Sequence, residues 1–164
     1  MVHQSVEYTQ QQSPFNYNTT ECIIITAKLL DTYVSIENIY IPLQTSCPLG
    51  FSASLQPLLT NNCLIVGDIN AHNEAWSQGN NDPRGDALVD EIDRELFVAL
   101  NNPDVNTRPT SNLSPDIAFA SVDIALAFEW NVTVSLNSDH LSISLTLENN
   151  LPPSRILNSF TSFR

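Results

Sequence analysis

The chain has 164 residues, 42% of them hydrophobic, which is enough for one folded domain and argues against wholesale disorder. Eighteen acidic residues against six basic ones give a net charge of −12, and this charge argues against strong nonspecific DNA affinity because phosphate binding normally relies on lysine and arginine. No apolar run approaches the ~20 residues that a membrane helix needs, and the first residues lack the basic and apolar regions of a signal peptide.

The first half of the chain predicts a β-hairpin. Residues 1–21 are polar and are expected to form a loose arm or an edge strand. Residues 22–30 ("CIIITAKLL") and 33–41 ("YVSIENIYI") are rich in β-branched side chains, and the short "DT" between them indicates an antiparallel pair. A short helix is predicted within residues 51–59, where Pro57 would bend or end it.

One amphipathic helix is predicted in the middle of the chain. Apolar side chains recur there at helical spacing with acidic residues on the opposite face; they are Leu88, Val89, Ile92, Leu96 and Leu100. Asp82, followed by Pro83, would cap the start of this helix.

The last third of the chain reads as three strands followed by a tail. The strands are predicted in "PDIAFAS" (115–121), "EWNVTVSL" (129–136) and "LSISLTL" (141–147), and the last of these alternates apolar and polar residues. Residues 149–164 have no periodicity and are expected to lie outside a domain of residues 1–148. Strands interrupted by a helix indicate mixed α/β architecture.

The three cysteines indicate a reducing environment. Cys22, Cys47 and Cys63 are odd in number and lack Cys-x-x-Cys spacing, so reduced thiols fit better than a disulfide frame or a zinc site. We expect an intracellular protein, not a secreted one, with no membrane or protein partner inferred.

A polar motif follows the apolar run of residues 63–66. Gly67, Asp68 and Asn70 favour turns, so a simple strand-to-turn interpretation stays open. Asp68 and Asn70 are two apart, and on an extended backbone both side chains would leave the same side. The stretch "GDINAHNEAW" therefore qualifies as a candidate site if other segments supply partners.

Three further polar clusters lie at predicted strand ends. They are Asn38 with Tyr40, Asp116, and Asp139 with His140. Asp68 and Asp139 offer the oxygen ligands that Mg²⁺ prefers. His140 is suited to act on a phosphate or a water, with Asp116 holding its imidazole. Taken singly, an Asp-His pair is more often a surface feature and a tyrosine more often packing.

In this order, these motifs resemble the endonuclease/exonuclease/phosphatase superfamily. The closer resemblance is to the apurinic-like endonuclease domain of non-LTR retrotransposons, carried by "NIYIP", "LIVGDINAHNEAWSQGNNDPRG", "SPDIAFAS" and "SDHLSISL" over roughly residues 1–148. The resemblance implies an α/β fold built as a two-sheet β-sandwich flanked by helices, four-layer and DNase I-like. It also implies a phosphodiesterase that uses Mg²⁺ (or Mn²⁺) to nick DNA in the nucleus, with weak DNA binding given the charge.

The resemblance assigns a role to each matching residue. Asp68 would activate the attacking water and share in metal binding with Asp139, and Asn70 would hold the scissile phosphate. His140, oriented by Asp116, would stabilise charge developing on that phosphate.

Several other matching residues complete the pattern. Tyr40 would also contact the phosphate, and His72 and Asn38 are candidates for the rim of the site. Trp76 and Gly85, the latter following Arg84, match the retrotransposon subgroup and are expected to be structural.

The chain departs from the family pattern at its start. Members begin with a strand carrying an Asn and a strand ending in a metal-binding Glu, whereas Glu7 and Glu21 follow no apolar strand. We therefore expect a domain lacking its first strands. Two alternatives stay open: a catalytically impaired retrotransposon-derived fragment that keeps only the fold, and a sibling activity such as a lipid or inositol phosphatase or a secreted nuclease.

Overall fold

The computed structural model describes residues 5–13, 20–43, 60–133 and 138–148. They form a six-stranded sheet, a two-stranded sheet and one α-helix. The elements are β1 (Tyr8–Gln11), β2 (Glu21–Leu29), β3 (Thr32–Tyr40), β4 (Cys63–Asp68), α1 (Pro83–Arg94), β5 (Phe97–Ala99), β6 (Asp116–Ser121), a short 3₁₀ helix (Ala125–Ala127), β7 (Phe128–Thr133) and β8 (Ser142–Leu147).

The predicted hairpin is confirmed. β2 and β3 pair antiparallel from Glu21 opposite Tyr40 to Leu29 opposite Thr32. β1 adds to the outer side of β2, so part of the N-terminal arm is an edge strand. The helix predicted within residues 51–59, the strand residues 134–136 and the tail lie outside the described residues.

The order of the six-stranded sheet gathers three strand ends at one edge. Its order is β1-β2-β3-β4-β6-β5, with β3 and β4 parallel and the other neighbours antiparallel. Parallel strands end at the same edge, and an antiparallel neighbour begins there. Tyr40 at the end of β3, Asp68 at the end of β4 and Asp116 at the start of β6 therefore share that edge.

The predicted helix exists, but it is shorter than its apolar pattern. Asp82 caps it by accepting a hydrogen bond from Gly85 N at 2.7 Å, and Leu88 and Ile92 are buried. The expectation that Leu96 and Leu100 continue it was wrong. Leu96 adopts a positive φ of 60° and is 66% exposed, and this left-handed residue turns the chain so that residues 97–99 pair with β6 instead.

Each face of the six-stranded sheet packs on a different partner. One face carries Ile39, Ile65 and Phe119 and packs on Leu88 and Ile92 of α1. The opposite face carries Val34, Leu64 and Ala120 and packs on Phe128, Leu145 and Leu147 of the small sheet.

The described residues thus form three layers: α1, the six-stranded sheet and the two-stranded sheet. This confirms the α/β class and the pairing of two sheets, while a fourth layer lies beyond what these residues show. Cys22 and Cys63 are free thiols. Among the described helices, none is long and apolar enough to cross a membrane.

Candidate active site

Asp68 and Asp116 form the base of the candidate site. They are direct cross-strand partners on β4 and β6. Residues alternate along β4, so Asp68 lies on the face that meets the small sheet, opposite to Cys63 and Ile65. Both carboxylates are half-buried. Like charges directly opposite each other in a sheet are unfavourable, so the pair calls for a proton or a cation.

His140 joins this pair from the turn that precedes β8. Its Nδ1 lies 2.7 Å from Asp116 Oδ2. Leu141 N donates to Thr107 O at 2.7 Å, and Thr107 Oγ1 donates to Asp116 Oδ2 at 3.0 Å. These bonds fix the start of β8 against the edge of the large sheet. One ligand atom each from Asp68, Asp116 and His140 then lie within 4.8 Å of one another.

The charge of Asp68 is disfavoured by its surroundings. Burial raises the pKa of its carboxyl, and the neighbouring Asp116 raises it further, whereas His140, Arg108 and Arg84 oppose this shift. Burial and a like charge both penalise the ionised form, and a nearby cation relieves both.

Asn70 contacts Asp68, but the extended backbone that was expected between them is absent. β4 ends at Asp68, and Asn70 adopts a left-handed conformation with φ of 50°, so the backbone is not extended between them. The side chain reaches back, and Nδ2 donates to Asp68 Oδ1 at 2.5 Å and to Ile41 O at 3.0 Å. The amide group therefore orients the Asp68 carboxylate.

Close backbone packing fixes the position of Asp68. Gly67 has φ of 150°, and a Cβ built on it would lie 1.9 Å from Ile39 O on the neighbouring strand. Only glycine permits this approach. Ile41 N donates to Asp68 O at 2.9 Å, which extends the contact between the two strand ends.

The first turn of α1 supports the loop that follows β4. Arg84, which is buried, donates from Nη1 to Ile69 O at 2.7 Å and to Asn70 O at 3.1 Å. A Cβ on Gly85 would lie 2.0 Å from His72 O. These contacts give Arg84 and Gly85 a structural function.

Trp76 anchors the same loop from the core. It is fully buried, it packs edge-on against Phe119 with ring centroids 5.4 Å apart, and its Nε1 donates to Ala71 O at 2.9 Å. These contacts agree with the structural role expected for Trp76.

Tyr40, Asn38 and His72 are not among the three residues whose ligand atoms converge. Tyr40 ends β3 and is 41% exposed. Asn38, with Asp116, borders a cavity of about 530 Å³ between the two sheets, whose other walls are mainly apolar. His72 holds the loop through its backbone carbonyl, which accepts from Asp82 N at 2.9 Å.

Asp139 has a partner that the sequence did not indicate. Arg108 donates to its Oδ2 from Nε at 2.8 Å and from Nη2 at 2.6 Å. This hydrogen bonding lowers the pKa of Asp139. The structure thus places Asp139 on an arginine, outside the cluster, and its metal-binding role stays a prediction.

Thr107 and Arg108 are the site residues that sequence reasoning missed. They lie in a polar segment before β6, where the residue spacing has neither helical nor strand periodicity. Their importance comes from contacts with Asp116 and Asp139, which are distant in sequence. In the sequence, only the strand-end motifs on either side of these two residues indicated that a site lay nearby.

Comparison with known proteins gives the site its context. Residues 34–144 match the model of the family described as "Endonuclease-reverse transcriptase". The chain belongs to this family. It is the retrotransposon branch of the endonuclease/exonuclease/phosphatase superfamily, so the resemblance drawn from the motifs is confirmed.

A solved structure supports the fold of this endonuclease-family chain. The chain is similar to the structure described as the endonuclease domain of TRAS1, a telomere-specific non-LTR retrotransposon, with a TM-score of 0.76 and 19% identity. The match covers 88% of this chain and 69% of that one. A sequence search of curated proteins found no match.

The residues of this endonuclease-family site fit a divalent cation. Two carboxylates supply hard oxygen atoms of the kind that Mg²⁺ and Mn²⁺ bind. Burial, and after it the charge of Asp116, raises the pKa of Asp68, so negative charge is unfavourable there without a cation. Asp68 and Asp116 are the described residues that would hold such an ion, and His140 lies beside them.

Proposed function

We propose that the chain is a Mg²⁺- or Mn²⁺-dependent endonuclease that nicks DNA, acting in the nucleus. The observation that carries the proposal is the convergence of Asp68, Asp116 and His140 at the junction of the two sheets, with ligand atoms within 4.8 Å. Membership in the endonuclease–reverse transcriptase family supports DNA as the substrate.

Asp68 is the group that prepares the attacking water. Asn70 fixes Oδ1 of its carboxylate, which leaves Oδ2 to accept a proton from a water or to bind a cation. Burial keeps this carboxylate more basic than a solvated one. A divalent ion, when bound, would neutralise charge on the phosphate and lower the pKa of the water.

His140 stabilises charge on the reacting phosphate. Its Nδ1 faces Asp116, so Nε2 is the nitrogen left for a phosphate oxygen. Asp116 holds the orientation of the imidazole, and Thr107 in turn holds Asp116. A preorganised donor of this kind lowers the barrier because it needs no rearrangement as charge develops.

The neutral and peripheral groups complete the proposed site. Tyr40 offers a hydroxyl donor for a phosphate oxygen from the end of β3, and Asn38 and His72 border the site. Asn70 Nδ2 already donates to Asp68 Oδ1 and to Ile41 O, so a contact with the scissile phosphate would require one of these hydrogen bonds to be exchanged.

A second candidate is a chain that keeps the fold without useful catalysis. The net charge of −12 favours it, because negative charge repels DNA.

A nicking assay separates these candidates. The purified chain is incubated with supercoiled plasmid in Mg²⁺, in Mn²⁺ and in EDTA, and a phosphoinositide is offered in parallel. Conversion to nicked circles that requires metal supports the endonuclease. Turnover of the lipid alone would replace the proposal with a phosphatase, and no turnover of either substrate would favour the fold-only chain.

A further inference from the structure

The described part of the chain has few basic side chains that could meet a phosphate. Lys28 lies near the far end of β2, where it pairs with Tyr33 and not with the residues of the site edge. Arg84 is buried and donates to backbone carbonyls. Arg94 pairs with Glu91 on α1, on the opposite face of the sheet. Arg108 is the remaining one.

Arg108 lies beside the catalytic cluster. It follows Thr107, which donates to Asp116, and its guanidinium binds Asp139, the neighbour of His140. Its charge is close enough to Asp68 to lower the pKa of that carboxyl. The arginine is therefore the one exposed cation that the described residues bring to the mouth of the site.

The Arg108 guanidinium binds Asp139 through two of its three nitrogens. Nε and Nη2 both donate to one carboxylate oxygen, Asp139 Oδ2, and the side chains are 34% and 49% exposed. Nη1 makes no hydrogen bond within the described ranges. A solvent-exposed ion pair contributes little net stability, so a phosphate, which arginine binds bidentately, can replace the carboxylate at little cost.

We propose that Arg108 binds a backbone phosphate of DNA at the mouth of this site and that Asp139 is its positioning residue, holding the guanidinium until the DNA backbone takes the place of the carboxylate. This rests on the proposed endonuclease function. The proposal about Arg108 gives Asp139 a role separate from metal binding. It also explains how a chain of net charge −12 offers DNA a local positive contact.

DNA binding without cleavage tests the proposal. Binding of a short labelled duplex is measured by fluorescence anisotropy in EDTA at several salt concentrations. Arg108→Ala and Arg108→Gln are expected to weaken binding about tenfold and to reduce the slope of log K against log salt by about 1, as loss of one phosphate contact requires. Arg94→Ala is the matched control, since it removes the same charge and also breaks an ion pair.

Asp139→Asn tests the positioning role. This substitution releases Arg108, so DNA affinity should rise. The rise should be larger than that caused by Asp93→Asn, a matched substitution at an exposed position. It should disappear in the double variant Asp139→Asn/Arg108→Ala. A merely structural role for Asp139 would lower affinity instead. Circular dichroism melts of every variant show whether the fold is kept.

The outcomes separate this proposal from the function on which it rests. Equal affinities and salt slopes for the parent and both Arg108 variants, with metal-dependent nicking intact, overturn the Arg108 assignment alone. A parent that neither binds nor nicks DNA overturns both. A fall in affinity for Arg94→Ala equal to that for Arg108→Ala shows only a general charge effect and also overturns the assignment.

Discussion

Asp68 and Asp116 are cross-strand partners that expose two carboxylates on the same face of the sheet. Burial, and after it the charge of Asp116, raises the pKa of Asp68, and two facing carboxylates are an unfavourable arrangement by themselves. It becomes favourable when a cation lies between them, or when His140 carries a proton.

Metal should stabilise the folded chain. A divalent ion that binds only the folded state adds about 2.7 kcal/mol at a hundredfold excess over its Kd. Thermal melts with increasing Mg²⁺ or Mn²⁺ should therefore shift upward for the parent. Asp68→Asn should raise the metal-free stability, because it removes a carboxylate whose charge is disfavoured, and should abolish most of the metal response.

The control for that experiment lies on α1. Asp93→Asn removes the same charge from the exposed acidic face of the helix and should leave the metal response intact. If metal stabilised Asp68→Asn as much as the parent, the helix face with Asp90, Asp93 and Glu95 would be the binder, and the cluster assignment would be wrong.

Glu37 should make stability depend on pH. It is only 2% exposed, its Oε2 has no hydrogen-bond partner among the described residues, and burial raises its pKa from 4.5 to about 7, although Cys63 and Ser35 donate to Oε1. Because the folded pKa is the higher one, its contribution is full below about pH 4.5 and is lost as pH rises through about 7.

Urea unfolding at pH 5 and pH 8 measures that loss. From the shift in pKa, the parent should lose about 3 kcal/mol through this group over the interval. Glu37→Gln should largely remove this dependence, whereas Glu74→Gln, at an exposed position, should keep the parent's profile. The same loss in Glu37→Gln as in the parent would show that other groups set the pH dependence.

Gly85 should tolerate no side chain. A Cβ there would lie 2.0 Å from the backbone oxygen of His72, and neither backbone segment can move without disturbing the loop that carries Asn70. Gly85→Ala should cost at least about 2 kcal/mol in urea unfolding, as other core clashes do.

Gly79→Ala is the matched comparison for this substitution. Its Cβ would lie 2.9 Å from the Leu113 side chain, a flexible group that can rotate away, and at an ordinary contact distance of 3.7 Å from Ser77 Oγ. The cost should be clearly smaller than at Gly85. Equal effects of the two substitutions would contradict the close approach of α1 to the site loop.

The sequence predicted the strands better than the end of the helix. The hairpin follows from β-branched runs, a local property, and the antiparallel pair was confirmed, with each strand beginning and ending one residue earlier than predicted. The end of α1 was missed because Leu96 and Leu100 keep helical spacing, while pairing between residues 97–99 and β6 decides the outcome. That pairing joins segments far apart in sequence, which periodicity does not report.

The site shows the same division between local and non-local information. Asp68, Asn70, Asp116 and His140 were found because each stands at a strand end, and the sheet order then brings them together. Thr107 and Arg108 lie in an irregular segment that has no such pattern. The burial of Glu37 depends on which face of β3 meets the helix layer. Neither feature could be predicted without the tertiary structure.

The most direct test of the account compares nicking rates of site variants with those of a matched control. On supercoiled plasmid in Mg²⁺, Asp68→Asn and His140→Ala should each lower the metal-dependent rate by at least about a hundredfold, the scale of a lost acid–base group. Asp93→Asn, prepared identically, should nick at the parent rate. Equal nicking by all four proteins would contradict the assignment of catalysis to the Asp68–Asp116–His140 cluster.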